Sequence, residues 1–154
     1  MRKRSRYRPI PVRCDAMAFV QAGLRPLAAT KDALLTLQLK NYDALASLSL
    51  GSTTKQQMNL LIEATNMAES LAWLGHGRDW KAEMRAGEVA IQSACMRGLA
   101  TGHFWATPDE LEQIRMLMAV HDAQLQTVTI RDIEQAIDHI KEVKRNKRAR
   151  RTTA

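Results

Sequence analysis

Long apolar runs are missing from this chain of 154 residues: nowhere do about eighteen apolar residues follow one another, which excludes a helical membrane span. Cysteine is scarce. Cys14 and Cys95 are the only two, and neither sits in a Cys-x-x-Cys pair or at metal-ligand spacing. A disulfide framework is thereby excluded, and a reduced, cytosolic compartment is expected. The apolar stretch from Ala16 to Val20 stops at Gln21, too short for a secretory core, and Pro9 and Pro11 interrupt any amphipathic transit helix, so no targeting signal is read. Strand-like alternation is absent except at 103–106, no fixed-period repeat occurs, and no phosphate-loop or dinucleotide fingerprint is found.

The composition that remains is that of one folded domain, 17.3 kDa with 45% apolar residues. Its net charge of +7 is unevenly divided. Residues 1–13 hold Arg2, Lys3, Arg4, Arg6, Arg8 and Arg13 with no acid. Residues 141–151 hold Lys141, Lys144, Arg145, Lys147, Arg148, Arg150 and Arg151 against Glu142 alone. Each end is therefore +6, and the body from 14 to 140 is −5. Such a division argues for arms that reach a polyanion while the body does something else.

The pattern predicts an all-α fold: a compact bundle of five or six helices, with an extended basic arm over 1–13 and a basic helical tail over 141–154. Asp15 caps a short helix through Met17, Phe19 and Val20 that ends at Gly23. A second helix, from Pro26 or Thr30 to Leu48, carries Leu34, Leu35, Leu37, Leu39, Tyr42, Leu45 and Leu48 on more than one stripe, which predicts burial over a wide face. Thr53 with Gln56 fits a capping box opening a helix to about Leu74. That helix is apolar on two sides, Met58, Leu61, Ile62, Thr65 and Ala68 on one and Leu60, Ala64, Met67, Leu71 and Leu74 on the other, and so is expected at the centre. After the Gly75-His76-Gly77 turn, Asp79 caps a helix to about Arg97 with Trp80, Met84, Ile91 and Cys95 inward, and Gly98 and Gly102 mark its end. Thr107-Pro108-Asp109-Glu110 combines a cap, proline at the first position and glutamate three residues on. Thr129 with Asp132 proposes the last helix, whose Ile130, Ile133, Ile137 and Ile140 form a seam that packs inside one chain or pairs two copies as a homo-oligomer.

No catalytic residue, metal or cofactor is named from these residues. His121 lies on an apolar stripe beside Asp122 and suits a base or ligand, but a hydrogen-bonded core histidine is the commoner case. His139 has no second histidine near it in sequence. Cys95, on an inner helix face, reads as a small hydrophobe, and Gly75-His76-Gly77 reads as a plain interhelical turn. Core packing accounts for Trp73 and Trp80, whereas Phe104 and Trp105, in a connection between Gly102 and Thr107, are candidates for an exposed protein-binding patch. A helix-turn-helix across Gln126–Thr129 is disfavoured because Asp132 and Glu134 would meet phosphate. The thirteen cations of the two ends are the candidate contacts to DNA or RNA, mostly nonspecific because phosphate contacts position without reading sequence.

The opening Met1-Arg2-Lys3-Arg4-Ser5-Arg6-Tyr7-Arg8-Pro9 and the segment His121-Asp122-Ala123-Gln124-Leu125 resemble the small orphan helical proteins that bacterial phages and prophages encode. The resemblance implies a bacterial cytoplasm and an accessory factor that binds a large host or phage protein complex in transcription, genome handling or defence. It carries over no catalytic residues. The expected function is thus a non-enzymatic regulator with nucleic acid at its ends and protein at its body. The alternative is an inhibitor or adaptor of a host enzyme acting by protein contact alone, and a hydrolase or metalloenzyme using His121 and Asp122 stands third.

Overall fold

The structure, a computed structural model, describes the backbone of residues 16–152 and the side chains of that span except Ala16, Ala18, Phe19 and residues 147–152. Six α-helices and no strand occur among the described residues: α1 (Ala16–Gly23), α2 (Lys31–Ser49), α3 (Lys55–Leu74), α4 (Lys81–Thr101), α5 (Pro108–Thr127) and α6 (Ile130–Thr152). Single 3-10 turns at Leu27–Ala29 and Arg78–Trp80 precede α2 and α4. The basic arm, Cys14 and the Asp15 cap lie outside the described residues.

Because α3 is apolar on two sides, it can only be stable when surrounded, and α2, α4, α5 and α6 all pack on it. Met58, Leu61 and Ala68 join Leu48 of α2, Ile91 of α4 and Ile114, Leu117 and Met118 of α5 in the main core. A second cluster of Leu34, Leu71, Leu125, Val128 and Ala136 seats α6. The start of α6 is also tied to the chain before α2, with Leu27 N–H donating to the Val128 carbonyl and Ile130 N–H to that of Arg25, at 2.9 and 3.0 Å.

Local signals fix most of the helix starts. Thr107 accepts from the Glu110 N–H while the Glu110 carboxylate accepts from the Thr107 N–H at 2.8 Å. Thr129 and Asp132 make the same reciprocal pair. The box that opens α3 is Thr54 with Gln57, one residue later than Thr53 and Gln56. Thr53 is instead buried and forms an isolated bridge with Phe104, leaving Thr54 as the cap. Asp79 does not cap α4; it lies in the 3-10 turn, and Trp80 is exposed.

Three further expectations are corrected by packing. Leu35, Leu37, Leu39 and Tyr42 are exposed, because α2 lies at the edge of the bundle and packs mainly on α3 and α5 and on the turn before it. The α6 seam is only partly covered: Ala136 is fully buried, Ile130, Ile133 and Ile140 are half-buried, and Ile137 is exposed. Gly98 does not end α4, which runs on to Thr101 and is closed by Gly102 at φ 80°, a left-handed position suited to glycine.

Gly98 has a packing role instead. A Cβ there would fall 1.9 Å from Cδ1 of Phe104, so the ring rests on bare backbone. Gly87 does the same between α4 and α5, where a Cβ would lie 2.5 Å from Cβ of Leu117. On an open helix, Gly→Ala stabilises by about 1 kcal/mol. At Gly87 and Gly98 the sign should reverse, each alanine lowering stability by about 1–3 kcal/mol through overpacking. Urea unfolding followed by far-UV circular dichroism measures this, and a raised midpoint for Gly98→Ala would show that Phe104 is not seated as described.

Candidate nucleic-acid interface

The residues expected to meet a polyanion are only partly within view. On α6, Lys141, Lys144 and Arg145 are exposed, and the helical backbone continues to Thr152. Lys141 pairs with Asp138 at 3.1 Å, but both side chains are more than two-thirds exposed, so the pair contributes little. Lys141 and Lys144 line an open trough together with Met67, Ile137, Ile140, Glu63 and Asn66. Arg2, Lys3, Arg4, Arg6, Arg8 and Arg13, and the side chains of Lys147, Arg148, Arg150 and Arg151, lie outside the described residues.

The expected aromatic patch divides in two. Phe104 is buried, 4% exposed, because the glycine at 98 leaves a seat for its ring. Its neighbour Trp105 stays half open, with the Arg97 guanidinium 4.4 Å from the ring centroid. Arg97 also donates to the Trp105 carbonyl and to both carboxylate oxygens of Glu110, so a single arginine joins α4, the connection and the α5 cap. Burial pulls the Glu110 carboxyl upward, but the bonds from Arg97 and Thr107 outweigh it and hold its pKa below the ordinary value.

Core packing does not account for Trp73 after all: it is 62% exposed near the end of α3. Its indole stacks on the His139 imidazole, centroids 4.2 Å apart and planes 6° from parallel. The buried Ser70 hydroxyl lies 3.1 Å from His139 Nδ1, so α3 holds both rings of the stack. Arg78, Lys81 and Arg85, from the 3-10 turn and the first turns of α4, line the same groove as Trp73. One signal lies in the sequence: around Trp73, the same face of α3 carries Asn59, Asn66 and Glu69, with Ile62 its one apolar neighbour.

His121 is 2% exposed, and its Nδ1 has no hydrogen-bond partner. Burial pushes its pKa down against the opposing pull of Asp122 and the Gln124 side chain. The Asp122 carboxylate is engaged from outside by the Tyr42 hydroxyl at 2.7 Å, and that hydrogen bond raises the Tyr42 phenol to about 12. Beside them the Gln124 amide donates to the carbonyls of Ala68 and His76 at 3.0 and 2.9 Å, stapling α5 to the end of α3 and the turn after it. His76 in turn approaches Asp132, 3.6 Å away, at the start of α6. Gln124 thus clasps α5 to α3 from within, while the Tyr42–Asp122 and His76–Asp132 contacts lie nearer the surface. Cys95 is a half-buried thiol beside Ile62 and Met96. Among the described residues, no three His, Cys, Asp or Glu side chains gather as metal ligands would, and no helix is long and apolar enough to cross a membrane.

Two pH limbs follow. Below the unfolded His121 value of 6.5, the unfolded chain takes up a proton that the folded one refuses, so the stability this site contributes is full above 6.5 and declines as pH falls. Glu110 and Asp132 are depressed, so their contribution is full above their unfolded values of 4.5 and 3.8 and is lost as pH falls through the folded ones. Urea unfolding across this range should show His121→Gln flattening the upper limb and Glu110→Gln the lower. A wild-type upper slope retained in His121→Gln would assign that limb elsewhere.

No protein-family model, no curated protein and no solved structure matches the chain.

Proposed function

We propose that this chain is a non-enzymatic accessory protein of the phage type, which holds nucleic acid through its basic ends while the helical body engages a protein partner in a nucleoprotein assembly. The observation that carries this reading is the segregation of charge: two ends of +6 on a body of −5. The cations in view on α6, Lys141, Lys144 and Arg145, are exposed and have one acid, Glu142, among them. A uniformly basic domain would coat a polyanion over its whole surface, whereas an acidic body repels a long, stiff polyanion and leaves most of the contact with it to the ends. For the body, the exposed Met96 and Leu99 of α4 and the half-open Trp105 offer the apolar and aromatic surface from which protein interfaces are built. Those same residues support the second reading, an inhibitor or adaptor that works by protein contact alone and needs neither end.

Salt dependence separates the two. Fluorescence anisotropy of the full chain with labelled duplex DNA, single-stranded DNA and RNA should show binding near 0.1 M salt whose log–log slope is about −5 or steeper on duplex, as expected for six or more neutralised phosphates. Replacing the basic residues of both ends with glutamine in the full chain should abolish binding to duplex. A wild-type chain that binds no nucleic acid beyond weak low-salt association leaves the protein-contact reading in place.

A further inference from the structure

An exposed tryptophan normally samples several rotamers, and a ligand that uses it must freeze them. Trp73 is already fixed. One face is covered by a nearly parallel imidazole, and that imidazole is held by Ser70, buried in α3. With one face covered and 62% of the residue still exposed, the other face of the indole is open to solvent. Two helices, α3 and α6, thus present a bare aromatic plane in a set orientation.

The surroundings of that plane are cationic. Trp73 forms one wall of an open groove of about 510 Å³, and Arg78, Lys81 and Arg85 line it from the 3-10 turn and α4, with Met84 also in the lining. Arg85 is paired with Glu88, while Arg78 and Lys81 take part in no ion pair among the described residues. Glu69 is the acid of the lining. With Arg85 paired to Glu88, the two cations Arg78 and Lys81 against the single acid Glu69 still run against the balance of a body that carries five more acids than bases. A ligand matching this groove has a flat π face and, a few ångströms from it, a negative charge. Unpaired nucleotides have both. Bases within a duplex do not, because their faces are stacked on one another, so a strand must be single for its base to lie on the indole. The volume falls within the ~300–1,000 Å³ of clefts that take small ligands, enough for one nucleotide unit of a longer strand.

We propose that the Trp73 groove is a stacking site for single-stranded nucleic acid: an unpaired base lies on the free face of Trp73 while the adjoining phosphates meet Arg78 and Lys81. His139 and Ser70 are positioning residues that hold the indole in place. The inference rests on the reading that this protein binds nucleic acid, and it names the form of nucleic acid that the body selects.

The test uses the full chain, with labelled oligo(dT) and a labelled duplex of equal length in one buffer near 0.1 M salt. Trp73→Ala should weaken oligo(dT) binding by about 5- to 150-fold, the equivalent of one base–aromatic stack, and leave duplex binding unchanged. Trp73→Phe should recover most of the loss, and the double variant Arg78→Gln with Lys81→Gln should weaken oligo(dT) more than duplex. If the wild type binds oligo(dT) and Trp73→Ala binds it equally well, the stacking site is overturned while the proposed function stands. Equal losses on both probes also overturn it. A wild type that binds neither probe removes the proposed function and this site with it. Should Trp73→Ala fail to fold by circular dichroism, the Arg78 and Lys81 double variant decides the matter, an unchanged oligo(dT) affinity overturning the site. Free thymidine monophosphate that competes as well as the strand, nucleotide for nucleotide, would overturn the assignment to a strand.

Discussion

A helix with apolar residues on two opposite sides cannot rest on a surface; it has to be enclosed, and α3 sets that demand for the whole molecule. Met58, Leu61 and Ala68 require α2, α4 and α5 around them, and Leu71 requires the cover that α6 brings with Ala136. Meeting the demand depends on how closely α4 and α5 approach each other. The glycines at 87 and 98 let Leu117 and Phe104 pack against α4 backbone, and larger residues at either place would push apart the walls of the enclosure. Gln124 then joins α5 to the end of α3 through two carbonyls, so the turn from Gly75 to Gly77 is held from within.

That enclosure also determines what stays outside. A row of α3 through Asn59, Glu69 and Trp73 is left exposed, and Trp73 emerges near the end of α3, before the turn that leads to α4. The same turn that Gln124 secures leads directly to Arg78 and Lys81. The groove beside Trp73 is therefore a consequence of how the core closes, with rigid elements on both walls, and side chains on such elements keep their geometry better than side chains on a free loop.

Features written within four residues of one another were legible in the sequence. The caps at Thr107 and Thr129 depend on a hydroxyl, a carboxylate and a spacing of three, and each forms as read. The central place of α3 was legible for a similar reason, since two apolar stripes on one helix have a single physical solution. What failed depended on neighbours distant in sequence. Four apolar residues of α2 read as core because apolar periodicity does not state how many helices will arrive to cover it, and too few did. Phe104 and Trp105 read as equals because nothing local reveals that residue 98 leaves space for one ring. Trp73 reads as core by residue type alone, although Asn59, Asn66 and Glu69 share its face of α3. Thr53 and Thr54 are adjacent hydroxyls with glutamines at matching distances, and a bridge to residue 104 decided between them.

The arrangement of cations on α6 bears on which polyanion fits. Successive helix positions turn by about 100°, so Lys141, Lys144 and Arg145 lie some 140–240° around the helix from His139, which backs the Trp73 stack. The aromatic plane and the basic end are thus carried on different sides of one rigid helix. A duplex is stiff over lengths far greater than this domain and cannot bend sharply around a helix without a large cost. A single strand has no such stiffness and can follow a path from the groove around α6 to its basic end. The acids of the body do not prevent it. At physiological salt, exposed charges farther apart than about 8 Å are largely screened, so a phosphate in the groove responds to Arg78 and Lys81 beside it far more than to the body's total of −5. Net charge then governs the approach of a long, rigid polyanion, and local charge governs the seating of a flexible one.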